Sequence, residues 1–95
     1  MLIGILQINF RLHGITSLKT KRKISNSLKQ KLKNKFNVAV AEIGYQDNLN
    51  HLQIGMVTLA NQKNRVEEIL GKALAMVEAV STDEIIDVTT DIFGA

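Results

Sequence analysis

The side chains best placed to do chemistry are cations. Lys19, Arg22, Asn26, Lys29 and Lys33 follow one another at steps of three, four, three and four. On a helix this spacing puts them along one face, in a stripe about 21 Å long. A cation or amide roughly every 5 Å is a spacing able to track a phosphate backbone. Lys21 crowds the start of the same segment with Lys19, Arg22 and Lys23. Just upstream stand Gly14, Thr16 and Ser17. With the unpaired N–H groups of a helix N-terminus they make an anion-binding loop. The candidate nucleic-acid-binding residues are therefore Lys19, Lys21, Arg22, Asn26, Lys29 and Lys33, and the candidate anion loop is Gly14, Thr16 and Ser17.

A charged helix face is usually just solvated. Two features argue for a ligand here. No acid is interspersed among these cations, so like charges repel by a few tenths of a kcal/mol per pair where opposite charges would attract. Cations also gather at the helix N-terminus, the positive end of the macrodipole, at a cost of about 0.3–1 kcal/mol each. The asymmetry extends to the whole chain. Residues 1–41 carry nine cations and no acid, whereas residues 42–95 carry three cations and nine acids. Such a split suggests a polyanion partner for one face, or charge-driven self-association.

Other chemistries find little support. The chain has no cysteine, which removes disulfides, thiolate metal sites and thiol nucleophiles together. His13 falls in a loop and His51 opens a strand; neither has a second ligand at helical spacing, and no H-E-x-x-H pattern occurs. Glu42 and Asp47 could form a carboxylate pair, but turn chemistry and strand-end solvation account for them. No metal, cofactor or catalytic residue is expected, and the chain reads as a binding protein. An enzyme acting on a small phosphorylated substrate, with Arg11 or His13 beside the Gly14 loop, is the weakest alternative.

The elements that must position the stripe follow from periodicity. Leu6, Ile8, Phe10 and Leu12 alternate with Gln7, Asn9 and Arg11, the period of a half-buried strand. Thr16 or Ser17 can cap a first helix over Leu18 to about Lys35, with Ile24, Leu28, Leu32 and Phe36 on its core side. Val38 to Ile43 reads as a second strand, Gly44 to Asn50 as a turn, and His51 to Ala60 as a third strand. Asn61 is the expected N-cap of a second helix that aligns Val66, Ile69, Leu70, Ala73, Val77 and Val80. Ile86, Val88, Thr90 and Ile92 then alternate with Asp87, Thr89 and Asp91 in a fourth strand.

The order is β-α-β-β-α-β. Two right-handed crossovers around a hairpin predict one α+β domain over residues 1–95, a ferredoxin-like four-stranded antiparallel sheet with both helices on one face. The uncovered face is expected to be polar, showing Gln7, Asn9, Arg11, Asp87, Thr89 and Asp91. Known RNA modules of similar order fit poorly. Strand three has no aromatic for an RNA-recognition motif to stack bases on, and the glycines form no G-x-x-G loop. In the acylphosphatase-like loop, Leu18 stands where a phosphate-binding arginine belongs.

The run Ser17-Leu18-Lys19-Thr20-Lys21-Arg22, followed by Phe36-Asn37-Val38-Ala39-Val40-Ala41-Glu42, resembles the bacterial YlxP-like family. Gly44-Tyr45-Gln46-Asp47, and Asn61 with Val66-Glu67-Glu68, extend the likeness over nearly the whole chain. The resemblance implies a ferredoxin-like fold and brings no assigned activity or catalytic residue. It also implies a genomic setting beside translation initiation and ribosome maturation, and a capacity to dimerise. The expected partners are thus RNA or a ribosomal subunit and a second copy of the chain. An alternative is an oligomeric interaction module that uses its open sheet face and binds no nucleic acid. No apolar run approaches the ~20 residues of a membrane span. The apolar start lacks a positive leader, and without disulfides a cytoplasmic location is expected.

Overall fold

A computed structural model describes residues 1–95. The chain runs β1 (Leu2–Arg11), α1 (Leu18–Lys35), β2 (Ala39–Gly44), β3 (His51–Ala60), α2 (Lys63–Val80) and β4 (Glu84–Gly94). The strands form one antiparallel sheet in the order β2-β3-β1-β4. β1 and β3 lie at the centre because each crossover passes over one strand: β1 to β2 over β3, and β3 to β4 over β1. The ferredoxin-like expectation is met, with both helices against one face of the sheet.

Alternation decides which face is dry. Leu6, Ile8 and Phe10 of β1 and Leu52, Ile54 and Met56 of β3 are almost fully buried. They meet Leu28 and Leu32 of α1 and Val66, Leu70, Ala73 and Val77 of α2. Burying each large aliphatic or aromatic side chain stabilises by about 1.5–3 kcal/mol, so this layer drives folding. Ser17 caps α1: its Oγ accepts from the Thr20 N–H at 3.2 Å. α2 begins one residue later than expected. Gln62, not Asn61, is its N-cap, and makes no side-chain capping bond.

β4 departs from simple alternation. Asn9 pairs with Asp87 and Phe10 with Ile85, so Ile86 is an extra residue in a bulge. Ile85, rather than Ile86, packs against the core, and Ile86 is exposed.

The uncovered face is only half of what alternation in β1 and β4 suggests. Gln7, Asn9, Arg11, Asp87, Thr89 and Asp91 do lie there. The other half is apolar: Leu59, Ile3 and Phe93 form one row across three strands, and Val57 and Ile5 are paired in the next. Leu59, Val57, Phe93 and the nearby Ile43 of β2 are exposed. The expectation of a polar face is corrected for this end, because β3 and the first residues of β1 supply most of it.

Gly4 marks the closest approach of sheet and helix. A Cβ there would stand 2.3 Å from Val66 Cγ1 and 2.8 Å from Leu70 Cδ1. Val66 is fully buried and β-branched, so it cannot swing away. Gly4→Ala should therefore destabilise by about 1–3 kcal/mol in urea denaturation. At Gly55 the added Cβ would meet the Ile43 side chain, tightest at its tip, Cδ1, 2.8 Å away. Ile43 is exposed and can rotate, so Gly55→Ala should cost less than about 1 kcal/mol.

Candidate nucleic-acid interface

α1 carries eight basic residues and no acid. Lys19, Arg22, Asn26 and Lys33 are exposed and Lys29 is half-buried, so these five expected site residues do form a solvent-facing stripe. Lys23, Lys31 and Lys35 are exposed beside it. None of these seven cations forms an ion pair. Lys35 Nζ sits 6.0 Å from the Phe36 ring centroid, within cation–π range.

α2 shows the opposite arrangement. Lys63 pairs with Glu67 at 3.9 Å, while Arg65 and Lys72 converge on Glu68 at 3.0 and 3.1 Å. The Lys72 hydrogen bond and charge, with the charge of Arg65, hold the Glu68 carboxyl below its ordinary range. Glu67 and Glu68 thus serve their own helix, and no carboxylate neutralises the α1 cations, with one exception.

That exception is Lys21. It belongs to the expected binding set, yet only 1% of it is exposed. Its Nζ donates to the carbonyls of Tyr45 and Asn48, the latter at 2.7 Å, and lies 3.2 Å from Glu42 Oε1. Two of its three N–H donors are received by these carbonyls, and Glu42 supplies the opposite charge at ion-pair distance. Lys21 is therefore a structural side chain and is removed from the candidate binding set. Its spacing carried the signal: Lys21, Ser25, Leu28 and Leu32 are the buried residues of α1, at steps of four, three and four. The lysine lies on the apolar face, a turn and more before the leucines.

The acceptors come from the β2–β3 turn. Tyr45 adopts φ 58°, the left-handed region, at a cost of about 1–2 kcal/mol for a non-glycine residue. The Asn48 N–H returns to the Tyr45 carbonyl at 3.0 Å, and Asn48 Oδ1 accepts from the Asn50 N–H at 2.7 Å. The Tyr45 ring stacks on His51 with centroids 5.1 Å apart. Glu42 pairs with Lys21.

The Gly14 loop is more committed than its sequence suggests. Gly14 takes φ 72°, and Gly14 and Thr16 are exposed. The Ser17 hydroxyl is engaged in the cap and in a 3.0 Å bond with Thr20 Oγ1. His13 Nε2 lies 3.9 Å from Glu84. No cluster of three or more His, Asp or Glu residues could hold a metal ion, and no helix is long and apolar enough to cross a membrane.

Comparison with known proteins agrees with the fold and is silent on activity. Residues 3–90 match the model of a family described as a protein of unknown function, DUF503. The chain is 30% identical over 78 residues to the uncharacterized protein YlxP of Bacillus subtilis (strain 168), covering 82% of this chain and 85% of that one. Among solved structures, At3g17210 from Arabidopsis thaliana superposes with a TM-score of 0.50 at 9% identity, over 98% of this chain and 94% of that one. SnoaB, a cofactor-independent oxygenase from Streptomyces nogalater, superposes at 0.49 and 9% identity, over 99% and 92%. The likeness to At3g17210, at 9% identity, extends to the fold and not to chemistry.

The Lys21 cluster yields a test. Lys21→Met leaves the Glu42 carboxylate without its counter-charge and the Asn48 carbonyl without its donor, and should cost about 3–5 kcal/mol in urea denaturation. Lys19→Met, on the exposed stripe, should change stability by less than about 0.5 kcal/mol. Adding Glu42→Leu to Lys21→Met should recover part of the loss, measured as a double-mutant coupling.

Proposed function

Because the chain belongs to the DUF503 family of proteins of unknown function, which brings it no activity, we propose from its own surface that it binds a structured RNA or a ribosomal subunit through the exposed face of α1. The observation that carries this reading is the set of seven α1 cations without a carboxylate partner, beside an α2 whose cations Lys63, Arg65 and Lys72 are all paired. Stability alone favours i,i+4 acid–base pairs on a surface helix. A helix that forgoes them, with Lys19, Arg22 and Lys23 at its positive end, suits an external anion. The stripe has the length and spacing to contact several successive phosphates.

A contact of ~4–5 phosphates should give a slope of about −3 to −4.5 in log affinity against log salt. Lys19→Glu, Arg22→Glu and Lys29→Glu together should abolish co-sedimentation with ribosomes and binding to structured RNA in filter assays, with an unchanged circular dichroism spectrum. Undiminished binding by the folded triple variant would refute the reading. A lysate pull-down with and without RNase separates RNA-borne partners from protein-borne ones.

A second reading concerns self-association, and the apolar half of the open sheet face favours it. Ile3, Val57, Leu59 and Phe93 border a hollow of about 290 Å³ lined by Ile5, Ala39, Ala41, Ile43 and Gly55. A second copy brings the same patch and, across a two-fold axis, covers it with its own kind. The two readings are compatible, since α1 lies on the opposite side of the sheet. Sedimentation equilibrium should show a dimer that Leu59→Glu converts to a folded monomer. A wild-type chain that is monomeric across the concentration range sinks this second reading and leaves the first intact.

A further inference from the structure

A groove opens between α1 and the end of α2, on the helical side of the sheet, with a volume of about 490 Å³. That lies within the range of pockets that take small organic ligands, roughly 300–1,000 Å³. Its floor reaches two core residues, Phe10 and Leu52, and Ile24, Leu28 and Val80 extend the apolar lining. Lys23, Ser27 and Lys31 line it from α1, at successive steps of four, so the two ammonium groups start about 12 Å apart along the helix. Ser81, Thr82 and Asp83 line it from the end of α2 and the turn that follows.

Both lysines are without an ion pair. The one acid at the groove, Asp83, belongs to the opposite side and contributes backbone atoms to local bonds with Ser81. Lys23, Ser27 and Lys31 lie roughly 120° round the helix from the Lys19–Lys33 stripe, at 100° per residue. A polyanion lying along the stripe does not fill this groove.

We propose that the groove binds a small amphipathic organic anion, with its apolar body against Ile15, Ile24 and Val80, the apolar lining residues that keep accessible surface, and its acid group at the Lys23–Lys31 wall. An apolar body alone would leave both ammonium groups without a counter-charge, and a compact inorganic anion would leave the apolar walls uncovered. A ligand carrying both features answers both. Its acid group is drawn to the α1 side because Asp83 repels it from the other. The groove shares Lys23 and Lys31 with the set of unpaired α1 cations, but the residues changed in the RNA test, Lys19, Arg22 and Lys29, do not line it.

The probe is 8-anilinonaphthalene-1-sulfonate, which joins aromatic rings to a permanent anion; N-phenyl-1-naphthylamine is its uncharged counterpart. The wild-type chain should bind the sulfonate with one-to-one stoichiometry by fluorescence titration. Lys23→Gln with Lys31→Gln should weaken the sulfonate roughly tenfold and leave the neutral amine within twofold. Ser27→Trp is an exposed substitution that fills the groove without touching the core, and should abolish binding of both. Leu59→Glu, on the open sheet face, should alter neither titration. Retention of sulfonate binding by the folded Ser27→Trp variant would overturn the proposal. So would its loss in Leu59→Glu alone, or an equal loss of both probes in the lysine double variant.

Discussion

An ammonium group taken out of water needs acceptors and an opposite charge, and Lys21 finds two carbonyls and one carboxylate on three separate residues. Glu42 comes from β2, and the Tyr45 and Asn48 carbonyls come from the turn that leads into β3. The side chain thereby ties the start of α1 to the hairpin beside it. The Tyr45 backbone holds an unfavourable left-handed angle, and the inward carbonyl engaged by Lys21 goes with that angle. The orientation of α1, and hence the direction its outer face points, depends on this one buried contact as well as on Leu28 and Leu32.

Once Lys21 is committed inward, the remaining charge on α1 has a clear sense. Glu42 is the acid that reaches the helix, and it is used up by the buried lysine. Glu67 and Glu68 of α2 are engaged by Lys63, Arg65 and Lys72 on their own surface. The two helices thus stay electrostatically separate: the cations of one are paired within it, and the other presents cations to solvent. Repulsion along α1 is tolerable because each exposed pair costs only tenths of a kcal/mol, far less than the core contributes.

The same architecture leaves two further surfaces unfinished. Placing both helices on one side of a four-stranded sheet exposes the other side, and the edge-to-edge row of Leu59, Ile3 and Phe93 gives that side an apolar end. On the helical side, the separation of α1 from the end of α2 leaves a groove that reaches Phe10 and Leu52. Surfaces of these two kinds arise from topology and helix spacing, not from any local sequence motif. The charged stripe, by contrast, is a property of one helix.

Local periodicity was enough to place α1 from Leu18 to Lys35, β3 from His51 to Ala60 and the β-α-β-β-α-β order. Each rests on the side-chain repeat of a single element. Ser17 as a cap and the outward stripe of Lys19, Arg22, Asn26, Lys29 and Lys33 were legible for the same reason. Tertiary structure decided what depends on two elements meeting. Lys21 looks like its basic neighbours until Glu42 and the Tyr45 turn are brought beside it. Ile85 and Ile86 exchange roles because β4 bulges against β1 at Phe10. The open face proves half apolar because β3 and the beginning of β1 lie side by side there. A chain's own pattern specifies which way a residue faces within its element; only packing specifies what waits on the other side.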